Sequence, residues 1–210
     1  MKPEILVKKA ISRGLDGIAV TDHQTIKGAV QAKKFETDDF KVIIGCELMT
    51  LQGEIIGLFL ENEIISTDAF EAIEEIHDQG GLVIVPHPFD ELRSSRFKQI
   101  EEIIDLIDGI EVFNSRCIKS KSNEIARDYA SNLDKGNIFM VAGSDAHFSN
   151  EVGNAYTEIQ VDNKLYIANP MPSLQSALRN GKCKVHGRRS SAMNHVGTKI
   201  LKWKRRYVDY

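Results

Sequence analysis

Residues 14–23 read Gly-Leu-Asp-Gly-Ile-Ala-Val-Thr-Asp-His. The β-rich run 17–21 predicts a short buried strand, and it stops on an aspartate and a histidine that a packed core would avoid. Upstream, Pro3 and Glu4 suit the first turn of a helix, and Ile5, Leu6, Ala10 and Ile11 share one face before Gly14 ends it. Downstream, residues 25–36 return to helical composition. The same alternation continues. Strands are predicted at 41–46 and 54–60, with a turn at Gly53, then at 82–86, 109–113, 138–142 and 155–161. Helices are predicted after the cap at Ser66 or Thr67, over 97–107 and over 121–133. Short apolar strands alternating with helices imply an α/β fold with a mainly parallel sheet covered on its faces.

The strand ends carry the chemistry. After the first strand come Thr21-Asp22-His23, after the second Gly45-Cys46-Glu47, and later Pro86-His87-Pro88, Asn114-Ser115-Arg116 and Gly143-Ser144-Asp145-Ala146-His147. In a β/α barrel the C-terminal strand ends converge on one mouth, so a barrel explains this placement better than an open sheet. Four of the clusters hold His, Asp or Glu, the donors of a metal-dependent hydrolytic centre. Singly, each has a structural alternative: Asp22 and Asp145 could cap the helices that follow them. Jointly they point to metal. His77, His186 and His195 lack this setting, and strand alternation turns Cys46 away from Glu47, as a core thiol.

Length and composition set the frame. The 210 residues suit one domain with a small appendage, divided here as 1–162 and a mainly helical, basic 163–210 beginning near Asn169-Pro-Met-Pro172. Hydrophobic residues make up 42% and charged residues 27%, which excludes a disordered chain, and a net charge of −3 excludes a globally basic nucleic-acid binder. Cys46, Cys117 and Cys183 form neither a zinc ribbon nor a disulfide framework, which favours a reducing compartment. No apolar run reaches the length of a signal peptide or a membrane span. The expectation is a soluble cytoplasmic protein.

Five motifs in order resemble the PHP family, the polymerase and histidinol phosphatase domain: residues 14–23, Gly45-Cys-Glu47, Pro86-His-Pro88, Glu111-Val-Phe-Asn114 and Gly143-Ser-Asp-Ala-His147. The resemblance covers about residues 3–162. It implies a distorted seven-stranded, TIM-like β/α barrel with two or three divalent metals, typically zinc, manganese or iron, and phosphoester hydrolysis. Carried onto this chain, His23 and His147 hold an outer metal, Glu47 bridges the other pair, and His87 and Asp145 each complete one of that pair. Asp22 lies beside them as a ligand or an orienting group, and Glu54 takes the place where many relatives have histidine. Relatives normally begin with a strand carrying Asp-x-His-x-His. The chain opens at the helix that follows, so the first strand and two ligands are expected to be missing. An upstream start codon, a trimmed chain and a natural loss would each account for that. Exposed strand edges would then favour a homodimer.

The implied chemistry assigns catalytic work to His23, His147 and Asp145. Arg93, Arg96 and Arg116, with Asn114, stand where a substrate phosphate could be held. The leading expectation is a metal-dependent phosphoesterase acting on a small phosphorylated metabolite or nucleotide. The alternatives are a catalytically impaired PHP module with a structural or regulatory role, and a nucleic-acid-processing phosphodiesterase that uses the basic residues Lys199, Lys202, Lys204, Arg205 and Arg206.

Overall fold

The structure, a computed structural model, describes residues 1–133, 138–191 and 194. Helix α1, Pro3–Ser12, starts with proline in its first turn and buries Val7 and Ala10. Strand β1, Gly17–His23, and helix α2, Lys27–Lys33, follow, and then strand β2, Lys41–Met49. The two strands pair in parallel, from Gly17 opposite Lys41 to His23 opposite Glu47. Both helices cover their outer face through a core of Val7, Ala10, Val20, Ala29, Ala32 and Val42.

Between β2 and strand β3, Glu54–Leu58, lies a tight hairpin. The Thr50 amide donates to the Gly53 carbonyl at 3.1 Å, and the Thr50 hydroxyl does so at 2.6 Å. Gly53 has φ of +146° and packs so closely on the next segment that a Cβ would stand 2.4 Å from the Phe97 Cα, so glycine is required there. A connection this short cannot make a parallel crossover. Strand β3 therefore runs antiparallel to β2, and also to strand β4, Leu82–Val85. The hairpin strand thus brings two antiparallel pairings into a sheet whose other three pairings are parallel, so the sheet is mixed but mainly parallel, as expected.

Helix α3, Ala69–Asp78, is capped by Asp68, whose side chain accepts from the amides of Phe70 and Glu71. Beyond β4 the predicted helix 97–107 reduces to a 3-10 turn, Ile100–Glu102. Phe97, Ile100 and Ile103 are all buried at three-residue spacing, and the local bonds from Glu102, Ile103 and Leu106 reach back three residues each. That spacing eclipses side chains in a 3-10 turn and needs no α-helix.

Strand β5, Gly109–Asn114, helix α4, Ser120–Ser131, and strand β6, Phe139–Gly143, complete a six-stranded sheet ordered β1-β2-β3-β4-β5-β6. Although β1 and β6 are opposite edges, residues of both line one cavity, so the sheet curls into a half-barrel. Strand β7, Ala155–Ile159, does not extend that sheet. It pairs instead with strand β8, Cys183–Gly187, after helices α5, Asn163–Ala168, and α6, Pro170–Arg179. Strand β8 was not foreseen, although Cys183 and Val185 alternate with Lys184 and His186, the period of a half-buried strand. The basic positions 199–206 and His195 lie outside the described residues. Among the described residues no helix is long and apolar enough to cross a membrane.

Alternation along the strands settles which groups face inward. Val42, Cys46 and Leu48 point to the helices, whereas Ile43 and Glu47 line the cavity together with Ile56, Ile84 and Val141. The cavity encloses about 1440 Å³. One end of it gathers the polar strand ends.

Candidate metal centre

Glu47 occupies the centre of that end, on the inward face of β2. Its Oε2 lies 3.3 Å from Nδ1 of His23, and its Oε1 lies 3.3 Å from Nε2 of His87. Glu54, at the start of β3, is brought alongside by the hairpin register that pairs it with Met49. Its Oε2 stands 3.5 Å from the same His87 nitrogen and accepts from the Ser95 hydroxyl at 2.7 Å. Donor atoms of His23, Glu47 and Glu54 fall within 4.8 Å of one another. Cys46 points away and is buried, and burial pushes its thiol up to about 12.

A second group of carboxylates adjoins the first. Glu111 is buried on β5 and accepts from the His87 amide at 2.8 Å and from Asn114 Nδ2 at 3.0 Å. Burial pushes its pKa up to about 7, although the charge on His87 and the Asn114 hydrogen bond oppose the rise. Asp145, beyond β6, pairs with Arg93, whose Nε also donates to Asp90 at 3.3 Å. Burial would raise Asp145, but the nearby charges of Arg93 and His147 hold it below the usual carboxylate range. His87 and Asp145 both adopt positive φ, +31° and +48°. Such conformations are costly for non-glycine residues and gather at functional sites.

A divalent cation fits this donor set. His87 Nε2 lies between two carboxylate oxygens, so its proton stands where a cation could serve both of them. Burial works against a charge on His87, yet Glu47 and Glu111 raise its pKa above the ordinary value. Its Nδ1 is buried without a hydrogen-bond partner among the described residues. Mixed imidazole and carboxylate donors suit zinc, manganese or iron rather than calcium.

The structure brings His23, Glu47, Glu54 and His87 together, and it sets Asp145 and His147 in the adjoining group. His147 Nδ1 lies 3.0 Å from the Asp145 carbonyl, which can only accept, so Nδ1 carries the hydrogen and Nε2 keeps a lone pair. Of the arginines, Arg93 rests on Asp145 and Asp90, Arg96 donates to the Pro88 carbonyl at 3.3 Å, and Arg116 is buried against Glu151. Asn114 is also buried, and its Nδ2 lies 3.4 Å from Asp145. Asp22 faces the cavity, but it packs on α2: a Cβ on Gly28 would fall 1.7 Å from its Oδ2. Gly28→Ala should therefore displace the Asp22 carboxylate while the helix gains about 1 kcal/mol from alanine. Metal affinity should fall by less than the roughly tenfold that loss of a ligand-orienting partner brings. A larger loss in a metal titration would place Asp22 in the centre.

Sequence reasoning quoted Glu111 within a motif without giving it a role, and passed over Asp90, Ser95 and Glu151. Glu111 had a signal, a lone charge at an inward position of an apolar strand; the other three had none.

Residues 120–183 match a family model described as PHP-associated. Over 119 residues the chain is 44% identical to the uncharacterized protein MJ1587 of Methanocaldococcus jannaschii, covering 54% of this chain and 67% of that protein. The chain belongs to the PHP family. A second uncharacterized protein of that organism, MJ0417, is 44% identical over 120 residues, covering 54% of this chain and 49% of its own length. The PHP chain thus spans about half to two thirds of the curated relatives it matches. In fold it is similar to a two-domain protein from Bacteroides vulgatus containing a predicted PHP-like metal-dependent phosphoesterase. The TM-score is 0.70 at 17% identity, covering 90% of this chain and 60% of that one.

Proposed function

We propose that this PHP chain hydrolyses phosphoesters with the help of divalent metal ions, acting on a small phosphorylated metabolite or nucleotide. The observation that carries the reading is the convergence of His23, Glu47, Glu54 and His87 at one end of an open cavity. These four residues would hold the first cation, and Asp145 with His147 a further one. Zinc, manganese or iron suits the set. Bound there, the metal supplies an activated water and neutralises phosphate oxygens.

The protein's own groups divide the remaining work. Inward alternation on β2 and β3 fixes Glu47 and Glu54, and the buried Glu111 holds the strained His87 by its amide. With Nδ1 of His147 committed to a carbonyl, its Nε2 is the nitrogen left to meet the further cation beside Asp145. The net charge of −3 suits a compact phosphorylated molecule better than a long polyanion. The same reading takes the curled six-stranded sheet as the greater part of a seven-stranded PHP barrel.

Elemental analysis of the purified chain, joined to a screen of small phosphomonoesters and nucleotides, tests it. A stoichiometric divalent metal is expected, with hydrolysis that stops on chelation and returns on adding manganese or zinc. A metal-free protein that takes up none, or hydrolysis indifferent to chelation, would overturn the reading.

A further inference from the structure

The two carboxylate groups of the centre are neutralised in different ways. Glu47 and Glu54 meet the imidazoles of His23 and His87 and the hydroxyl of Ser95. Imidazole nitrogens are themselves metal ligands, so these partners can join the carboxylates in holding a cation. Asp145 instead meets the guanidinium of Arg93, a cation that does not deprotonate in proteins. Arg93 is anchored from behind, since its Nε donates to the buried Asp90 at 3.3 Å. The Asp145 oxygen it engages also faces Asn114 Nδ2 at 3.4 Å, and the other oxygen lies 3.4 Å from His147 Nδ1. The carboxylate is thus enclosed by donors. Side-chain exposure is 23% for Arg93 and 14% for Asp145, so solvent screens the pair only in part.

We propose that Arg93 is a resident counter-cation at Asp145, and that the guanidinium must leave this carboxylate before Asp145 can ligate a metal. The proposal rests on the reading of the centre as a metal site and adds an order to its filling. Like charges in contact repel strongly in a partly buried site, so the guanidinium and a metal ion exclude one another on the same oxygen. Among the described residues, the cluster of His23, Glu47, Glu54 and His87 has no guanidinium paired with it, and it fills first. The Asp145 position fills second, with an affinity reduced by the work of detaching Arg93.

Titration of the metal-free chain with Mn2+ alone, followed by calorimetry, reads this order directly. The wild type should show a tight phase and a weaker one. Arg93→Met should tighten the weaker phase by about 10- to 100-fold, the range expected when a charged hydrogen-bonded competitor is removed, and leave the tight phase in place. Arg93→Lys should fall between them, because lysine keeps the charge and lacks the fork. Asp145→Asn should erase the weaker phase in either background. An arginine needed merely for folding would weaken both phases when replaced, so tightening separates the two roles. A weaker phase that is unchanged or loosened in Arg93→Met overturns the proposal, as does a single phase in the wild type. Should Arg93→Met fail to fold, Arg93→Gln keeps a hydrogen-bond donor of similar reach and removes the charge. It should tighten the weaker phase in the same direction by a smaller factor, and no movement counts against the proposal. A wild type that binds no Mn2+ overturns the metal reading as well, whereas two phases insensitive to Arg93 leave that reading standing.

Discussion

Replacing Glu151 with alanine should lower the stability of the fold by about 3–5 kcal/mol, the cost of removing one partner from a buried ion pair. Glu151 is fully buried, and Arg116, its partner from the segment after β5, is 5% exposed. One Arg116 nitrogen, Nη1, donates to both carboxylate oxygens, at 2.7 and 2.9 Å. Oε2 also accepts from the backbone amides of His147 and Phe148, at 2.9 and 3.0 Å. One side chain therefore ties the Arg116 segment to the loop that presents Asp145 and His147. Alanine would deprive a buried guanidinium of this carboxylate and leave two amides without their acceptor. Glu151→Gln keeps an acceptor and loses the charge, so it should cost less than alanine. Urea unfolding of the two variants, with Arg116→Met and the double replacement as a cycle, measures the coupling. A loss below about 1 kcal/mol for Glu151→Ala would show that the loop is held by other contacts, because surface-like pairs fall in that range.

The contrast between Glu151 and Glu47 shows what a sequence can display. Glu47 follows an apolar strand and precedes a turn, so its inward position and its place at the strand end are both local facts. The same holds for His23, the last residue of β1, and for His87 and Asp145, each found just beyond a strand. Glu54 was legible only as an alternative to an exposed turn residue, because its burial depends on the hairpin register and on Ser95, 41 residues away. The arginines were less legible still. All three stand near strand ends and look equally ready for phosphate, yet Arg93 pairs with a residue 52 positions away and Arg116 with one 35 positions away. Charge pairing over such separations is decided by how the sheet curls, and no local period encodes it. The lost helix at 97–107 fails for a related reason: three-residue apolar spacing satisfies a 3-10 turn and an α-helix equally, and packing on the hairpin glycine selects between them.

Glu47→Gln should separate metal binding from folding more sharply than any other single change. The side chain stands between His23 and His87, with Glu54 beside it, and is 11% exposed. Glutamine preserves its shape and one oxygen, so the hydrogen bond to His87 can persist and stability should change by no more than about 1 kcal/mol. The negative charge is lost, and with it the oxygen pair that lets one residue serve donors on both sides. Phosphoester hydrolysis should then fall by about a thousandfold or more, the scale of several kcal/mol of charge stabilisation, and the tight phase of metal binding should vanish. Alanine at the same position would confound the result by opening a void, which makes the isosteric change the better probe. Elemental analysis, a urea unfolding curve and kcat/KM on any substrate found in the screen should be measured on one preparation. A folded Glu47→Gln protein that still holds stoichiometric metal would remove Glu47 from the ligand set, and the centre would then have to be rebuilt around Glu54 and His87.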